Sequence, residues 1–283
     1  MLSSREIKTI LKEEGLVISK RRGQNFLVDK HIQEKIINAI SIKSGDEILE
    51  IGPGLGALTE ELSKSGAGLK AIEKDRGLVK ILRKRLSGYK NVEIISGDIL
   101  EIDMEKFTRN KLKVVGNLPY YITTPIITYL LEKQRENIND IFITVQREVG
   151  ERLRAEKNSK DYSAITILIK YFTDCRVLFP IPKRAFYPQP KVDSVFVHLH
   201  ILKKPSVKVN NQEQFFKIVH SCFNQRRKTI PNSLSHKLPG IEKESIQKML
   251  KDKDIDIKVR PENLSLEEFA RIEDAFYKRG HKL

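Results

Sequence analysis

Four consecutive residues near the middle of the chain, Asn117, Leu118, Pro119 and Tyr120, carry groups suited to chemistry on an aromatic amine. The lone pair of such an amine is delocalised into the ring, so the nitrogen is a poor nucleophile until its two hydrogens are held in a near-tetrahedral geometry. The side-chain oxygen of Asn117 and the main-chain carbonyl of Leu118, aimed by the rigid Pro119, can accept those hydrogens. Tyr120 can stack on a base extruded from a nucleic acid. The same tetrapeptide is also common in ordinary turns, so its position in the fold must distinguish a catalytic role from a structural one.

A second set of residues predicts a site for an adenosine-containing cofactor. Gly52 and Gly54 lie in the segment EIGPGLGALT, between a strand-like run and a helix start, where glycines let a ligand approach the main chain. Glu73 ends the next predicted strand and can accept hydrogen bonds from two ribose hydroxyls. Asp98 follows the third strand, where it either accepts from the adenine amino group or caps a helix. Because Gly52-x-Gly54-x-x-Ala57 also fits the dinucleotide fingerprint, NAD and FAD remain possible cofactors when only these residues are considered.

The elements that must position these residues are those of a doubly wound α/β sheet. From about residue 32 to residue 196, short β-branched runs alternate with helical segments, which predicts parallel pairing. Buried strands are expected at 47–51, 69–73, 92–96, 113–117 and 140–145, and an antiparallel edge strand at 194–201. Amphipathic helices are expected at 212–224, 242–251 and 266–278. We therefore predict an α/β domain over residues 1–203 and a small all-helical domain over residues 204–283.

Composition limits the classes of protein that the chain can be. Its 283 residues are 40% hydrophobic and 31% charged, which excludes a disordered chain, and no run approaches the roughly 20 apolar residues of a membrane helix. The net charge of +15 favours a polyanionic partner, although a solvated basic surface would have the same charge. No targeting signal is visible near the first residues, so the cytoplasm is expected. The two cysteines, Cys175 and Cys222, lack further ligands at metal-binding spacing, and no metal is expected.

Longer motifs extend these observations over nearly the whole chain. GQNFLVD (23–29), EIGPGLGALT (50–59), AIEKD (71–75), GDIL (97–100) and VGNLPYYIT (115–123) resemble, in order and spacing, the motifs of the small-subunit ribosomal RNA adenine dimethyltransferases, the KsgA/RsmA family. The segments FPIPKRAFYPQPKVDSVFVHL (179–199), HSCFNQRRKTIPNSL (220–234) and RPENLSLEEFARIEDAF (260–276) carry the resemblance into the C-terminal part.

The resemblance implies a fold, a cofactor and a set of site residues. The fold would be a seven-stranded, mostly parallel class I S-adenosylmethionine methyltransferase domain followed by a helical domain. S-adenosylmethionine would be the cofactor, contacted by residues of five motifs: Asn25, Leu27, Gly52, Gly54, Glu73, Asp98 and Asn117. Phe186 would be the second aromatic that sandwiches the target adenine against Tyr120, unless it is a core aromatic.

The activity implied by the resemblance is dimethylation of the N6 amino groups of two adjacent adenines in a 3′-terminal hairpin of 16S rRNA. The partners would be that RNA and the small ribosomal subunit, with a role in subunit biogenesis. Contacts to the RNA backbone are expected from two basic clusters, because guanidinium groups bind phosphate bidentately. The clusters are Lys20, Arg21 and Arg22, and Arg226, Arg227 and Lys228.

Three alternatives remain open at the level of sequence. A large-subunit rRNA methyltransferase of the Erm type would share the cofactor and catalytic motifs, although NLPY and QRRKTIPNSL look more like the small-subunit enzymes. A ribosome-assembly factor could use the same basic surface without catalysis. A nicotinamide-dependent oxidoreductase could use the same glycine-rich turn.

Overall fold

The computed structural model describes residues 1–18, 23–43, 45–106, 108, 110–237 and 241–280. Its strands are β1 Phe26–Leu27, β2 Glu47–Ile51, β3 Gly68–Glu73, β4 Val92–Ser96, β5 Leu112–Asn117, β6 Ile138–Gln146, β7 Thr173–Ile181, β8 Phe186–Tyr187 and β9 Ser194–Ile201. Its α-helices are α1 Ser4–Glu13, α2 Lys30–Ile40, α3 Ala57–Ser63, α4 Arg76–Arg85, α5 Thr123–Lys133, α6 Arg147–Leu153, α7 Ala164–Phe172, α8 Gln212–Phe223, α9 Ile230–Lys237, α10 Lys243–Lys251 and α11 Leu266–Lys278.

Seven strands form one sheet in the order β4-β3-β2-β5-β6-β9-β7. The strands from β4 to β6 pair in parallel, and β9 runs antiparallel to β6. The four parallel pairings need crossover connections, which helices such as α3, α4 and α5 supply. The prediction of a seven-stranded, mostly parallel α/β sheet is therefore confirmed.

The position of β9 differs from the prediction of an edge strand. β9 has the predicted bounds, but β7 lies on its outer side and is the edge of the sheet. The alternating burial of β7 and its proline, Pro180, suit an edge, since proline has no main-chain N–H to donate to a neighbouring strand. Sequence analysis did not assign this segment to a strand.

Among the described residues, one apolar cluster joins helices to the sheet and another joins helices to each other. Ile36 and Ile40 of α2 and Leu58 and Leu62 of α3 are buried against strand residues such as Ile48. A second cluster joins α1 to α4, with Ile7, Leu11 and Ile81 among its buried members. At about 25 cal/mol per Å² of buried apolar surface, such side chains supply the main driving force for folding.

Helix α1 was not predicted, although its sequence contains a start signal. Ser3 caps the helix, with its Oγ accepting from the Glu6 main-chain N–H at 3.3 Å, and Glu6 accepts in return from the Ser3 N–H at 2.7 Å. This reciprocal pair is the capping box encoded by Ser-x-x-Glu. The apolar face of α1 then packs into the second cluster, next to the site described below.

The chain divides into two compact units whose boundaries differ from the predicted split at residue 203. The first unit contains residues 1–150 and 175–201, and the second contains residues 151–174 and 202–283. Helix α7 therefore belongs with the C-terminal helices, because its Tyr171 and Phe172 stack on Phe215 and Phe216 of α8. The C-terminal unit is helical, as expected, and it includes a fourth C-terminal helix, α9, that was not predicted. In the described part of the chain, no helix is long and apolar enough to cross a membrane.

Candidate active site

The glycine-rich turn links β2 to α3 in a conformation that side chains oppose. Gly52 and Gly54 have φ angles of +68° and +62°, in the left-handed region. A Cβ at Gly54 would also lie 3.1 Å from ring atoms of Phe26. The turn is thus shaped by glycine, and its main chain is exposed to a cavity beside it.

Glu73, the last residue of β3, fixes this turn to the neighbouring strand. One carboxylate oxygen accepts from the Gly54 N–H at 3.1 Å and the other from the Asp75 N–H at 2.8 Å. Only 8% of Glu73 is exposed, and this burial raises its pKa, against the lowering effect of the two hydrogen bonds. Each carboxylate oxygen has more than one acceptor site, so Glu73 can also accept from ligand hydroxyls.

The turn and the strand ends enclose a cavity of about 380 Å³. All seven residues expected to contact a cofactor line it, and so does Pro119: Asn25, Leu27, Gly52, Gly54, Glu73, Asp98, Asn117 and Pro119. The volume lies in the range of small-molecule sites, roughly 300 to 1,000 Å³. The residues predicted to contact a cofactor therefore line one cavity, although they come from five separate segments, and their contact with a cofactor stays a prediction.

Asp98 performs the capping role that sequence analysis left as one of two possibilities. Its Oδ1 accepts from the Leu100 N–H at 3.1 Å at the start of a short 3₁₀ turn, and its Oδ2 pairs with Lys74 at 2.5 Å. Burial alone would raise the pKa of Asp98, but the hydrogen bonds from Lys74 and Leu100 outweigh it and lower the pKa. Asp98 is thus an anion at the cavity wall, and the cap does not prevent it from accepting from a ligand as well.

Asn117, the last residue of β5, has its amide oriented by a main-chain group. Its Nδ2 donates to the Asn25 carbonyl at 2.8 Å. Because a carbonyl only accepts, the NH₂ group must face Asn25, and Oδ1 must point to the other side. The hydrogen bond therefore presents Asn117 Oδ1 as an acceptor at the cavity edge.

The turn after Asn117 is anchored at several points. The side chain of Leu118 is 1% exposed, and the Pro119 carbonyl accepts from the Ile122 N–H and the Thr123 hydroxyl, each at 3.1 Å. The Tyr120 hydroxyl bonds to the Ser194 hydroxyl at 2.6 Å, which ties this turn to the start of β9. Burial of Tyr120 raises its pKa. The ring of Tyr120 is therefore neutral and half-buried, and it is held at its outer end.

Phe186 lies on β8, which forms a two-stranded antiparallel sheet with β1. Leu27 is directly opposite Phe186, so the segments GQNFLVD and AFYPQP meet although about 160 residues separate them. Phe186 is only 3% exposed and packs in the main apolar cluster. This placement matches the core-aromatic alternative, and a role in stacking on a base stays a prediction.

Among the cavity residues that sequence analysis did not single out are Glu50 and Tyr121. Glu50, inside β2, is 2% exposed, and burial raises its pKa to about 8, assisted by the nearby Glu73 and opposed by Thr59. Glu50 Oε2 lacks a hydrogen-bond partner among the described residues, which leaves one buried acceptor at the cavity wall. Tyr121, next to the predicted Tyr120, is 58% exposed and also lines the cavity. No sequence signal distinguished these two residues from a core glutamate and a surface tyrosine.

Of the two basic clusters, the structure describes only the one in the C-terminal unit. Arg226, Arg227 and Lys228 are exposed in the loop between α8 and α9, where Arg226 also donates to the Lys160 carbonyl at 2.7 Å. The cluster Lys20, Arg21 and Arg22 lies outside the described residues. Exposure is what a phosphate contact requires, and the role of both clusters stays a prediction.

The residues of the cavity fit S-adenosylmethionine. A buried carboxylate at the end of β3, a glycine turn with accessible main chain and an acidic residue after β4 suit its adenosine part, and the orphan acceptor on Glu50 suits a donor such as its ammonium group. The Asn117 amide oxygen lies at the end of β5, beside that cavity. In the same sheet, β9 runs antiparallel to the parallel strands. This combination defines the class: a Rossmann-like methyltransferase dependent on S-adenosylmethionine.

Comparisons with known proteins agree with that class and narrow it. The family model described as "Ribosomal RNA adenine dimethylase" matches residues 16–278, so the chain belongs to the ribosomal RNA adenine dimethylase family. The chain is 42% identical over 268 residues to ribosomal RNA small subunit methyltransferase A of Clostridioides difficile (strain 630), covering 93% of this chain and 92% of the relative. The protein of the same name from Moorella thermoacetica is 43% identical over 273 residues, with 93% and 94% covered.

Solved structures give the same result. A dimethyladenosine transferase from Plasmodium falciparum superimposes with a TM-score of 0.76 at 28% identity, covering 90% of this chain and 98% of that one. The 23S rRNA methyltransferase ErmE superimposes with a TM-score of 0.64 at 27% identity, covering 89% and 99%. The oxidoreductase alternative is therefore wrong, and the chain is an rRNA adenine dimethyltransferase by family.

Proposed function

We propose that this protein transfers two methyl groups to the N6 atom of each of two adjacent adenines in a 3′-terminal hairpin of 16S rRNA. S-adenosylmethionine would be the methyl donor, and the role would lie in biogenesis of the small ribosomal subunit, in the cytoplasm. The relatives named for the small subunit, which are 42% and 43% identical over nearly the whole chain, support this substrate over the large subunit. The observation that carries the proposal is the orientation of the Asn117 amide, with its oxygen presented at the edge of the cavity.

The proposed chemistry follows from this acceptor. Bound S-adenosylmethionine supplies an electrophilic methyl group on a sulfonium centre. Asn117 Oδ1 and the Leu118 carbonyl accept the two hydrogens of the adenine amino group, which localises its lone pair and stabilises the positive charge that develops on nitrogen. The amine becomes acidic only after methylation, so no strong general base is needed, and its proton can pass to solvent.

The tyrosine of the same turn supports the base. The hydrogen bond from Tyr120 to Ser194 fixes the tilt of the ring, so the ring can serve as a stacking platform without reordering. Asn117, Leu118, Pro119 and Tyr120 thus act as one rigid unit. Asn25, Leu27, Gly52, Gly54, Glu73 and Asp98 would hold the cofactor beside it.

The proposed RNA contacts rest on charge and exposure. Arg226, Arg227 and Lys228 are exposed on a loop of the C-terminal unit, and the chain carries a net charge of +15. Such groups bind phosphates by releasing counterions, which makes binding strongly dependent on salt. Lys20, Arg21 and Arg22 are proposed to contribute in the same way.

The decisive experiment offers three substrates to the purified protein with a labelled methyl donor: naked 16S rRNA, unmodified small subunits and naked 23S rRNA. We expect label in the small-subunit substrates, with two neighbouring primer-extension stops near the 3′ end of 16S rRNA. Comparison of the first two substrates shows whether assembled subunits are required. Label confined to 23S rRNA would refute the proposed substrate and leave the family assignment intact.

A further inference from the structure

Two histidines and an aspartate meet on one face of the sheet, away from the cavity. Asp140 of β6 lies directly opposite His200 of β9, and His198 is two residues from His200 on the same strand. Side chains two apart on a strand share a face, as do directly opposed residues of an antiparallel pair. Accordingly, Asp140 Oδ1 lies 2.7 Å from His198 Nε2 and 2.8 Å from His200 Nδ1.

This trio has the donor set and the spacing of a transition-metal site. One ligand atom from each residue lies within 4.8 Å of the other two, and it is the one such group of three or more His, Cys, Asp or Glu within the described residues. Around a tetrahedral zinc ion with bonds of roughly 2.0 to 2.2 Å, donor atoms stand roughly 3.3 Å apart. The two distances from Asp140 Oδ1, 2.7 and 2.8 Å, would need to open by only about half an ångström to admit the ion.

The surroundings order the site and leave it accessible. The ring of Phe142 lies parallel to the imidazole of His198, at 4.3 Å between centroids and 2° between planes, which fixes one ligand. The His198 and Asp140 side chains are 22% and 18% exposed, whereas that of His200 is 55% exposed and gives an ion a path from solvent. Ligands on adjacent strands of a sheet are positioned more rigidly than ligands on loops.

We propose that Asp140, His198 and His200 bind one divalent transition-metal ion, with Zn²⁺ the best chemical match and water completing its coordination. Two imidazoles and one carboxylate favour Zn²⁺ over the oxygen-preferring Mg²⁺ and Ca²⁺. The expectation of no metal from sequence rested on cysteine spacing and did not consider Asp140, which is 58 residues from His198.

The position of the ion makes it a clamp between two strands and excludes a part in methyl transfer. Asn117 pairs with Thr144, four residues further along β6 from Asp140. At about 3.3 Å per residue, the proposed ion lies roughly 13 Å along the strand from the catalytic turn. We therefore expect Zn²⁺ to raise the thermal stability of the protein without being required for activity.

The test uses tag-free, full-length protein stripped with a chelator, so that no added histidines compete. Calorimetric titration with Zn²⁺ near neutral pH should show one saturable site per chain. His200→Ala removes an exposed ligand with little risk to folding, and Asp140→Asn keeps the side-chain volume; each should weaken binding at least tenfold. His31→Ala, which removes an exposed histidine on α2, is the matched control and should bind like the unaltered protein.

A second readout does not depend on calorimetry. Co²⁺ in place of Zn²⁺ should give the visible absorption of a tetrahedral or five-coordinate ion, lost in His200→Ala and kept in His31→Ala. Zn²⁺, but not Mg²⁺, should raise the Tm of the unaltered protein. Equal Zn²⁺ affinity of His200→Ala and the unaltered protein, or the absence of a saturable site, would overturn the proposal.

Discussion

In Asn117→Ala the side chain loses both its hydrogen bond to the Asn25 carbonyl and the oxygen proposed to accept from the target amine. Loss of the 2.8 Å hydrogen bond, with a half-buried carbonyl left unpaired, should lower the free energy of unfolding by about 1 to 3 kcal/mol. Loss of one prepositioned acceptor of developing charge should lower kcat by roughly 10²- to 10³-fold. Affinity for S-adenosylmethionine should fall far less, by about two- to twelvefold, the equivalent of one ordinary hydrogen bond.

The assay measures methyl incorporation into unmodified small subunits at saturating methyl donor, calorimetric affinity for S-adenosylmethionine, and retention of the protein on the subunits. Retention should be unchanged, which separates catalysis from a role in assembly alone.

Asn91→Ala supplies the matched control, because Asn91 donates to the Ser63 and Ala67 carbonyls, both at 2.9 Å, at a distance from the cavity. We expect Asn91→Ala to cost at least as much stability and to keep kcat. The reasoning fails if the kcat of Asn117→Ala falls no further than its cofactor affinity, or if Asn91→Ala loses as much kcat.

Three further changes test the turn, the buried carboxyl group and the basic loop. Gly54 and Gly45 both have a positive φ, so alanine at either position should lower the free energy of unfolding by about 1 to 2 kcal/mol. Gly54→Ala should lower it further, because its added Cβ would also lie 3.1 Å from a ring, whereas the Cβ at Gly45 would meet no atom within 4 Å; equal losses in urea unfolding would contradict this. Because the pKa of Glu50 is raised to about 8 in the folded protein, the unfolded chain loses the Glu50 proton at a lower pH than the folded protein does. The free energy of unfolding should therefore decline as the pH rises from about 4.5 to 8, and the Glu50 contribution should be constant above that. Glu50→Gln should therefore gain stability relative to the unaltered protein across that window, by at most about 5 kcal/mol, and a difference independent of pH would refute it. Replacing Arg226 and Arg227 with alanine should weaken RNA binding and reduce the slope of log affinity against log salt by about 2; an unchanged slope would place the phosphate contacts elsewhere.

Most of the sheet could be predicted from sequence, and so could the five chain segments whose residues meet at the cavity. β2 reads as a strand because Ile48, Leu49 and Ile51 precede a glycine-rich turn, and the ligand edge of an α/β sheet follows from strand order, so Gly52, Glu73 and Asp98 could be placed together. The edge strand could not be predicted correctly, because the hydrophobic pattern of β9 does not reveal that β7 covers its outer side.

The residues that sequence analysis missed depend on tertiary surroundings. Glu50 looks like any acidic residue in a motif, and only its burial next to Glu73 raises its pKa. The amide of Asn117 was expected to accept, but its orientation follows from Asn25, which is 92 residues away. The break at residue 150 was also not predicted, because α7 joins the C-terminal unit through tertiary contacts, such as the stacking of Tyr171 on Phe215 of α8, that the sequence pattern does not reveal.

The short antiparallel ladder between β1 and β8 joins two segments of the chain that lie far apart in sequence. Val28 donates to the Ala185 carbonyl at 2.8 Å, and Leu27 faces Phe186, so the N-terminal wall of the cavity and the segment leading to β9 share one set of main-chain hydrogen bonds. An insertion or deletion in either segment would shift both at once. Length in these two stretches is therefore constrained jointly, and related sequences should vary in length in other loops before they vary here.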